Sequence, residues 1–140
     1  MGEEHIVPLS AEALGLLREL HTLTGGQRWL FPNYRRPATC MTNTTLNRAL
    51  ERMSFNGKDT IGFSAHGFRA TASTMLNEMG FRPDIIERQL AHAERDISRK
   101  SYNRAQYLGE RRQMMQAWAD HLDALAKGAD IVPIHARPAA

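Results

Sequence analysis

A mainly α-helical domain is the fold class that the sequence predicts, and three observations support it. Along several segments the apolar residues recur every three or four positions, which is the spacing of one face of a helix. Capping residues precede these segments and glycines follow them, as at the ends of helices. The short apolar run from Ile6 to Leu9 is interrupted by Pro8 and is too brief to form a strand in a sheet of its own. With 140 residues, the chain has the length of one ordinary domain.

The first two helices are predicted to be structural. One begins after Ser10, a good N-cap, and ends at Gly25. Trp29 to Phe31 then form a brief extended segment that leads into an exposed loop. The second helix runs from Thr42 to Phe55 and closes near Gly57. The apolar positions of the two helices are Leu14, Leu16, Leu17, Leu20, Leu23, Leu46, Leu50 and Met53.

Two further helical segments are predicted in the middle of the chain. Ser64 is a plausible cap for a helix from about Ala65 to Met79, which Gly80 ends. Pro83 suits the first position of the next helix, which is expected to reach about residue 92.

A last long helix is predicted from about residue 106 to 126. Burying each of its apolar side chains would contribute roughly 1.5–3 kcal/mol, so this helix is expected to pack against another surface. Residues 129–140, after Gly128, have no helical period and are expected to form a flexible tail. The apolar positions of this helix are Leu108, Met115, Trp118, Leu122 and Leu125.

The composition favours a soluble intracellular protein. Eighteen Lys and Arg against 15 Asp and Glu give a formal charge of +3, which is compatible with an anionic partner. Cys40 is the only cysteine, so neither an internal disulfide nor a cysteine zinc cluster is expected. No apolar run approaches the roughly 20 residues that a membrane span needs, and the N-terminus lacks the basic start of a signal peptide. The most basic stretch contains Arg95, Arg99, Lys100, Arg104, Arg111 and Arg112.

Four residues between positions 66 and 102 together have the chemistry needed to bind and cut a phosphodiester. The guanidinium of Arg69 can hold two non-bridging oxygens in a planar fork and does not lose its charge. His66, on the same helix face as Arg69, and His92 can donate hydrogen bonds to these oxygens or move a proton. Tyr102 lies in the basic stretch, where neighbouring cations favour the nucleophilic phenolate. The sequence lacks a P-loop, an H-E-x-x-H motif and a G-x-S-x-G motif, so nucleotide hydrolysis and zinc proteolysis are poorly supported.

The order and spacing of these four residues resemble the catalytic domain of tyrosine recombinases of the phage-integrase type. An H-x-x-R motif, a leucine-rich L-[GA]-H motif 23 residues later and a tyrosine 10 residues beyond it occur in that order. The resemblance covers about residues 5 to 126. Its motifs read His66-Gly67-Phe68-Arg69-Ala70-Thr71-Ala72-Ser73-Thr74, Gln89-Leu90-Ala91-His92-Ala93-Glu94-Arg95 and Ser101-Tyr102-Asn103-Arg104.

The resemblance implies a fold and a reaction. Residues 1–128 would be the helical C-terminal part of the recombinase catalytic domain, with at most a remnant of its small β-sheet at the N-terminus. Tyr102 would attack a DNA phosphate and form a 3′-phosphotyrosyl link, which a 5′-hydroxyl of a partner strand later reverses. Arg69 would be the second of two arginines that clamp the phosphate, and His66 and His92 the two histidines of the site.

The resemblance also implies partners and a missing part of the site. Double-stranded DNA attachment sites and other integrase subunits would be the partners, in the bacterial cytoplasm, whether the protein is phage-encoded or associated with the nucleoid. No cofactor is expected, because the covalent link conserves the bond energy without ATP or an obligatory metal. The family also uses an earlier arginine and an earlier lysine, so the chain is expected to be a fragment that cannot recombine DNA alone. Ala91 stands where many members have glycine. The candidate DNA-binding side chains are Arg95, Arg99, Lys100 and Arg104.

Several alternatives remain at this point. A type IB topoisomerase uses the same chemistry, and a non-catalytic helical DNA-binding or protein-interaction module would need none of it. Tyr107, five residues late for the pattern, is a rival nucleophile. Trp118 and Leu122 could contact a neighbouring subunit instead of the core.

Overall fold

The structure, a computed structural model, describes residues 5–91 and 106–128. Within these ranges the regular elements are helices, and no strand forms, so the prediction of a mainly α fold is confirmed. The described part of the chain has one isolated antiparallel bridge, between Pro32 and Cys40, and Ile6 to Leu9 form no strand. The helices are α1 (Ala11–Thr24), α2 (Thr44–Arg52), α3 (Ala65–Glu78), α4 (Pro83–Gln89) and α5 (Leu108–Ala126).

The chain divides into two compact units, and the division falls inside α3. Unit 1 comprises Met1–Ala11 with Thr71–Ala140, and unit 2 comprises Glu12–Ala70. Unit 1 has a hydrophobic core contributed by α3, α4 and α5. Its buried residues, which we call the core cluster, are Leu76, Ile85, Ile86 and Met114, each at most 2% exposed.

Polar contacts attach the N-terminal segment to the rest of unit 1. The Nε2 atom of His5 lies 3.3 Å from the carbonyl oxygen of Gln89. The first N–H group of α1, that of Ala11, donates to Oε1 of Gln116 on α5 over 2.9 Å. Because the first N–H groups of a helix lack partners within it, the Gln116 amide satisfies a donor at the start of α1.

Unit 2 buries less apolar surface. No residue of α1 is buried, and Leu16 and Leu23 remain 68% and 78% exposed, so the predicted helix forms without a fully buried face. In α2 the one buried side chain is that of Leu50.

Helix α5 packs through a different set of residues from the predicted stripe. Met115 and Trp118 lie against the core cluster as expected, whereas Leu122 and Leu125 are each 45% exposed. Met114 and Arg111 are the fully buried residues of this helix. No described helix is both long enough and apolar enough to cross a membrane.

Candidate active site

The start of α3 carries the two predicted site residues that the structure describes. His66 is the second residue of the helix and is exposed, and Arg69 lies one turn later and is half-buried. Residues three apart share a helix face, so both side chains extend from the same side of the first two turns. The N–H groups at this end carry the positive end of the helix dipole, and no acidic residue occurs in the first turn. Such a terminus favours a phosphate group.

Side chains from outside α3 fix where this helix starts. The N–H of Ala65 donates to Oδ1 of Asn47 on α2 over 2.8 Å. The backbone just before the helix is also held, because the N–H of Phe63 donates to the carbonyl oxygen of Phe55 over 2.8 Å. The rings of Phe63 and Phe68 meet edge to face with their centroids 4.8 Å apart. The backbone that carries His66 is therefore anchored by both polar and aromatic contacts.

Gly67, between His66 and Phe68, allows a close approach of the Phe63 ring. A Cβ atom at position 67 would lie 2.8 Å from Cε2 of Phe63, closer than carbon atoms pack. Packing against Phe63 therefore explains why glycine occupies the second position of the His66-Gly67-Phe68-Arg69 motif, and the spacing of the motif did not reveal this contact.

Comparison with known proteins identifies the family. The model of the phage integrase family matches residues 1–108. The chain belongs to the phage integrase family. It is 42% identical over 132 residues to prophage integrase IntA of Escherichia coli (strain K12) and 44% identical over 125 residues to the integrase of Enterobacteria phage P4. It is also 42% identical over 125 residues to prophage integrase IntZ of Escherichia coli (strain K12).

The chain corresponds to part of these integrases. The matches cover 94% of this chain and 31% of IntA, and 88% of this chain and 28% of the phage P4 integrase. The chain therefore spans about a third of the length of the integrases that it matches. No solved structure gives a significant match.

The remaining predicted site residues lie outside the described ranges. These are the predicted nucleophile Tyr102, the predicted phosphate ligand His92 and the candidate DNA-binding residues Arg95, Arg99, Lys100 and Arg104, and their roles stay predictions. The structure does describe the residues on either side, Ala91 and Gln106. The predicted tail, 129–140, also lies outside the described ranges.

Ala91 shows why a glycine suits the position before the second histidine. Helix α4 ends at Gln89, and Ala91 adopts a φ of 50°, in the left-handed region. Left-handed residues close many helices, and glycine is preferred there because a Cβ atom is strained in that conformation. Ala91, at the second position of the L-[GA]-H motif, is therefore a strained residue.

Ala91→Gly is expected to stabilise the chain by up to about 1 kcal/mol, because relief of the left-handed strain exceeds the entropy that glycine adds to the unfolded state. The free energy of unfolding from urea denaturation tests this. The matched control is Ala70→Gly on the exposed surface of α3, which should destabilise by about 0.5–1 kcal/mol. Destabilisation by both substitutions would contradict the assignment of strain to Ala91.

Tyr107, the rival nucleophile, has a structural role in unit 1. It precedes α5 with a φ of 46°, and its ring packs against the core cluster. The guanidinium carbon of Arg82 lies 5.4 Å from the centre of that ring. Arg82 in turn forms ion pairs with Asp84 at 2.6 Å and Glu110 at 3.3 Å.

Arg111 is a buried cation whose role the sequence did not reveal. Its side chain is completely buried, and its Nε donates to Oε1 of Gln89 over 2.8 Å. Its two terminal nitrogens donate to the carbonyls of Gln106 at 3.2 Å and Ile6 at 2.6 Å. Burial, and then the nearby charge of Arg88, hold the pKa of Arg111 below its ordinary value. An arginine stays protonated at neutral pH even so, and the three acceptors therefore solvate a buried charge.

The Arg111 contacts tie three separate segments together. Ile6 belongs to the N-terminal segment, Gln89 is the last residue of α4, and Gln106 precedes α5. Arg112, by contrast, is exposed. Of these two neighbours in the basic stretch, only Arg112 presents its charge to solvent.

Proposed function

We propose that this chain supplies the nucleophile and three phosphate-binding residues of a site-specific DNA recombinase that integrates or excises a phage or genomic island. The observation that carries the proposal is the pairing of His66 and Arg69 on one face at the anchored start of α3, in a member of the phage integrase family. Membership of the family supports recombination in general. The helix terminus supports binding of a phosphate at these two residues.

The proposed reaction is a transesterification at phosphorus. The phenolic oxygen of Tyr102 attacks the scissile phosphate, an O–P bond to Tyr102 forms, and the bond between phosphorus and the 5′ oxygen breaks. The phenolic proton is released, and the departing 5′ oxygen takes up a proton to become a hydroxyl. Arg69 donates two hydrogen bonds to the non-bridging oxygens, on which negative charge develops. His66 and His92 donate to the same oxygens or carry the proton.

The proposal includes partners and a requirement for other residues. Double-stranded attachment sites in bacterial or phage DNA are the substrate, and further integrase subunits bound to those sites supply the partner strands. The reaction also requires the family's other phosphate-clamping arginine and its lysine, in addition to His66, Arg69, His92 and Tyr102. The 140 residues by themselves are therefore expected to form no adduct with DNA.

Formation of a covalent protein–DNA adduct on a suicide substrate tests the proposal. This chain replaces the aligned segment of the phage P4 integrase, and the chimaera is incubated with a nicked duplex that carries that integrase's site. The nick releases a short fragment after cleavage, so the adduct cannot be resealed. We expect an adduct that survives denaturing electrophoresis. Absence of any adduct from a folded, DNA-bound chimaera would contradict the proposed function.

Arg69→Lys in the chimaera is expected to slow adduct formation about 10- to 100-fold. Lysine keeps the charge but loses one of the two charge-assisted hydrogen bonds, which is worth about 1.5–3 kcal/mol. The measurement is the single-turnover rate constant at saturating protein. Arg18→Lys on the exposed surface of α1 is the control and should leave the rate constant unchanged. An unchanged rate constant in Arg69→Lys would remove Arg69 from the site.

A further inference from the structure

Unit 2 contains a long stretch without acidic residues. Between Glu19 and Glu51 the sequence has four arginines and no aspartate or glutamate. Two of these arginines, Arg35 and Arg36, are adjacent and exposed and lie within residues 31–41, which we call the arginine loop. The three motifs that carry the resemblance to integrases, at residues 66–74, 89–95 and 101–104, do not include this loop.

The arginine loop is closed like a short hairpin. Pro32 and Cys40 form the antiparallel bridge described above. On either side of it the N–H of Asn33 donates to the carbonyl of Thr39, and the N–H of Met41 donates to the carbonyl of Phe31, both over 2.8 Å. The two ends of the loop are therefore held at a fixed separation.

Side chains also fix the backbone at the tip. The Oδ1 atom of Asn33 accepts the N–H groups of Arg35 and Arg36 at 2.9 and 3.1 Å, a turn in which an asparagine side chain replaces a backbone acceptor. The hydroxyl of Thr39 donates to the carbonyl of Arg36 over 2.9 Å. The indole N–H of Trp29 donates to the carbonyl of Ala38 over 3.0 Å and supports the tip from outside the loop.

The fixed tip presents its polar side chains to solvent. Tyr34 is 98% exposed, and Arg35 and Arg36 are exposed beside it. No ion pair of either arginine occurs within the described ranges. The backbone that carries the two arginines is held by the hydrogen bonds described above, and it lies in a stretch without acidic residues.

We propose that the arginine loop is a second contact with nucleic acid, binding the phosphate backbone of duplex DNA through residues other than His66 and Arg69. Two adjacent guanidinium groups suit phosphates, which they bind through paired hydrogen bonds, and the Tyr34 hydroxyl can donate a further one. Because the backbone is already ordered, binding costs less conformational entropy than it would in a flexible loop. The choice of DNA over an acidic protein rests on the proposed function.

The salt dependence of DNA binding by the 140-residue chain tests this contact. The probe is a fluorescent duplex without an attachment site, and anisotropy gives the dissociation constant across a range of KCl concentrations. The logarithm of the association constant falls linearly with the logarithm of the salt concentration, and each lost phosphate contact makes this slope less steep by about 0.9. Arg35→Ala/Arg36→Ala is therefore expected to weaken binding and to make the slope less steep by about 1.8. Arg35→Lys/Arg36→Lys should keep most of the slope while it weakens binding, because it retains the charges without the forks.

A matched double variant controls for net charge. Arg18→Ala/Arg52→Ala removes two exposed arginines from α1 and α2 of the same unit and should leave the slope unchanged. Equal losses in the two alanine doubles would mean general electrostatic attraction and would overturn the proposal. Binding of polyglutamate but not of DNA through the loop would also overturn it, in favour of an acidic protein partner. Adduct formation on the suicide substrate tests the proposed function independently of the arginine loop. A failure of the loop proposal can therefore be told apart from a failure of the proposed function.

Discussion

Replacing Tyr102 by phenylalanine is expected to abolish the covalent adduct between the chimaera and DNA. Without the phenolic oxygen no O–P bond can form, whereas the aromatic ring is kept. The loss should therefore be complete, and not a partial fall in rate of the kind expected for Arg69→Lys. Adduct yield on the suicide substrate after denaturing electrophoresis is the measurement, and DNA affinity should be unchanged.

The matched control for this substitution is Tyr107→Phe. Tyr107 packs against the core cluster at the start of α5, so loss of its hydroxyl should leave adduct formation intact. An adduct that persists in Tyr102→Phe and disappears in Tyr107→Phe would transfer the role of nucleophile to Tyr107. Equal yields in both variants and the wild type would exclude both tyrosines.

Replacing Arg111 by methionine is expected to destabilise the chain by about 2–4 kcal/mol. The substitution keeps a long side chain but leaves the Gln89 side-chain oxygen and the carbonyls of Ile6 and Gln106 without their donor. A buried acceptor left unpaired, as at Gln89, costs about 1–3 kcal/mol, the part-buried carbonyls of Ile6 and Gln106 cost less, and relief of the buried charge offsets part of the sum. The free energy of unfolding in urea measures the effect.

Arg112→Met is the control for Arg111→Met. It makes the same chemical change one residue along, at an exposed position, and should alter the stability by about 0.5 kcal/mol or less. Arg111→Lys should lie between the two variants, since one ammonium group cannot reach three acceptors in different directions. Equal stabilities of Arg111→Met and Arg112→Met would show that the three hydrogen bonds contribute nothing.

Local patterns in the sequence were sufficient to predict the helices. The apolar spacing, Pro83 and the glycines predicted five helical segments, and α1 to α5 occur there with differences of a few residues at their ends. Helix α2 ends at Arg52 and not at Phe55, and α4 ends at Gln89 and not near residue 92. Helix ends depend on capping contacts, and these are weakly encoded in local sequence.

Contacts between distant residues were not predictable. The first N–H of α3 binds Asn47, 18 residues earlier, and Arg111 binds Ile6, 105 residues earlier. The charge density that defined the basic stretch could not distinguish Arg111, which is buried, from Arg112, which is exposed. Periodicity also overestimated the packing of Leu122 and Leu125.

The candidate site was predictable only where it depends on spacing within one helix. His66 and Arg69 are three residues apart within one helix, so spacing alone implied that they share a face. The anchoring of α3 by Asn47 and Phe63, and the strain at Ala91, depend on tertiary contacts and backbone angles that a pattern of residue types does not contain.

The most direct test of the central claim is to identify the residue that becomes joined to DNA. The adduct formed by the wild-type chimaera is digested with nuclease and trypsin, and the nucleotide-bearing peptide is sequenced by mass spectrometry. Trypsin separates the two candidate tyrosines, because Tyr102 falls in the peptide 101–104 and Tyr107 in the peptide 105–111. We expect the phosphodiester remnant on Tyr102 in peptide 101–104. A remnant on Tyr107, or on a residue outside this chain, would contradict the assignment.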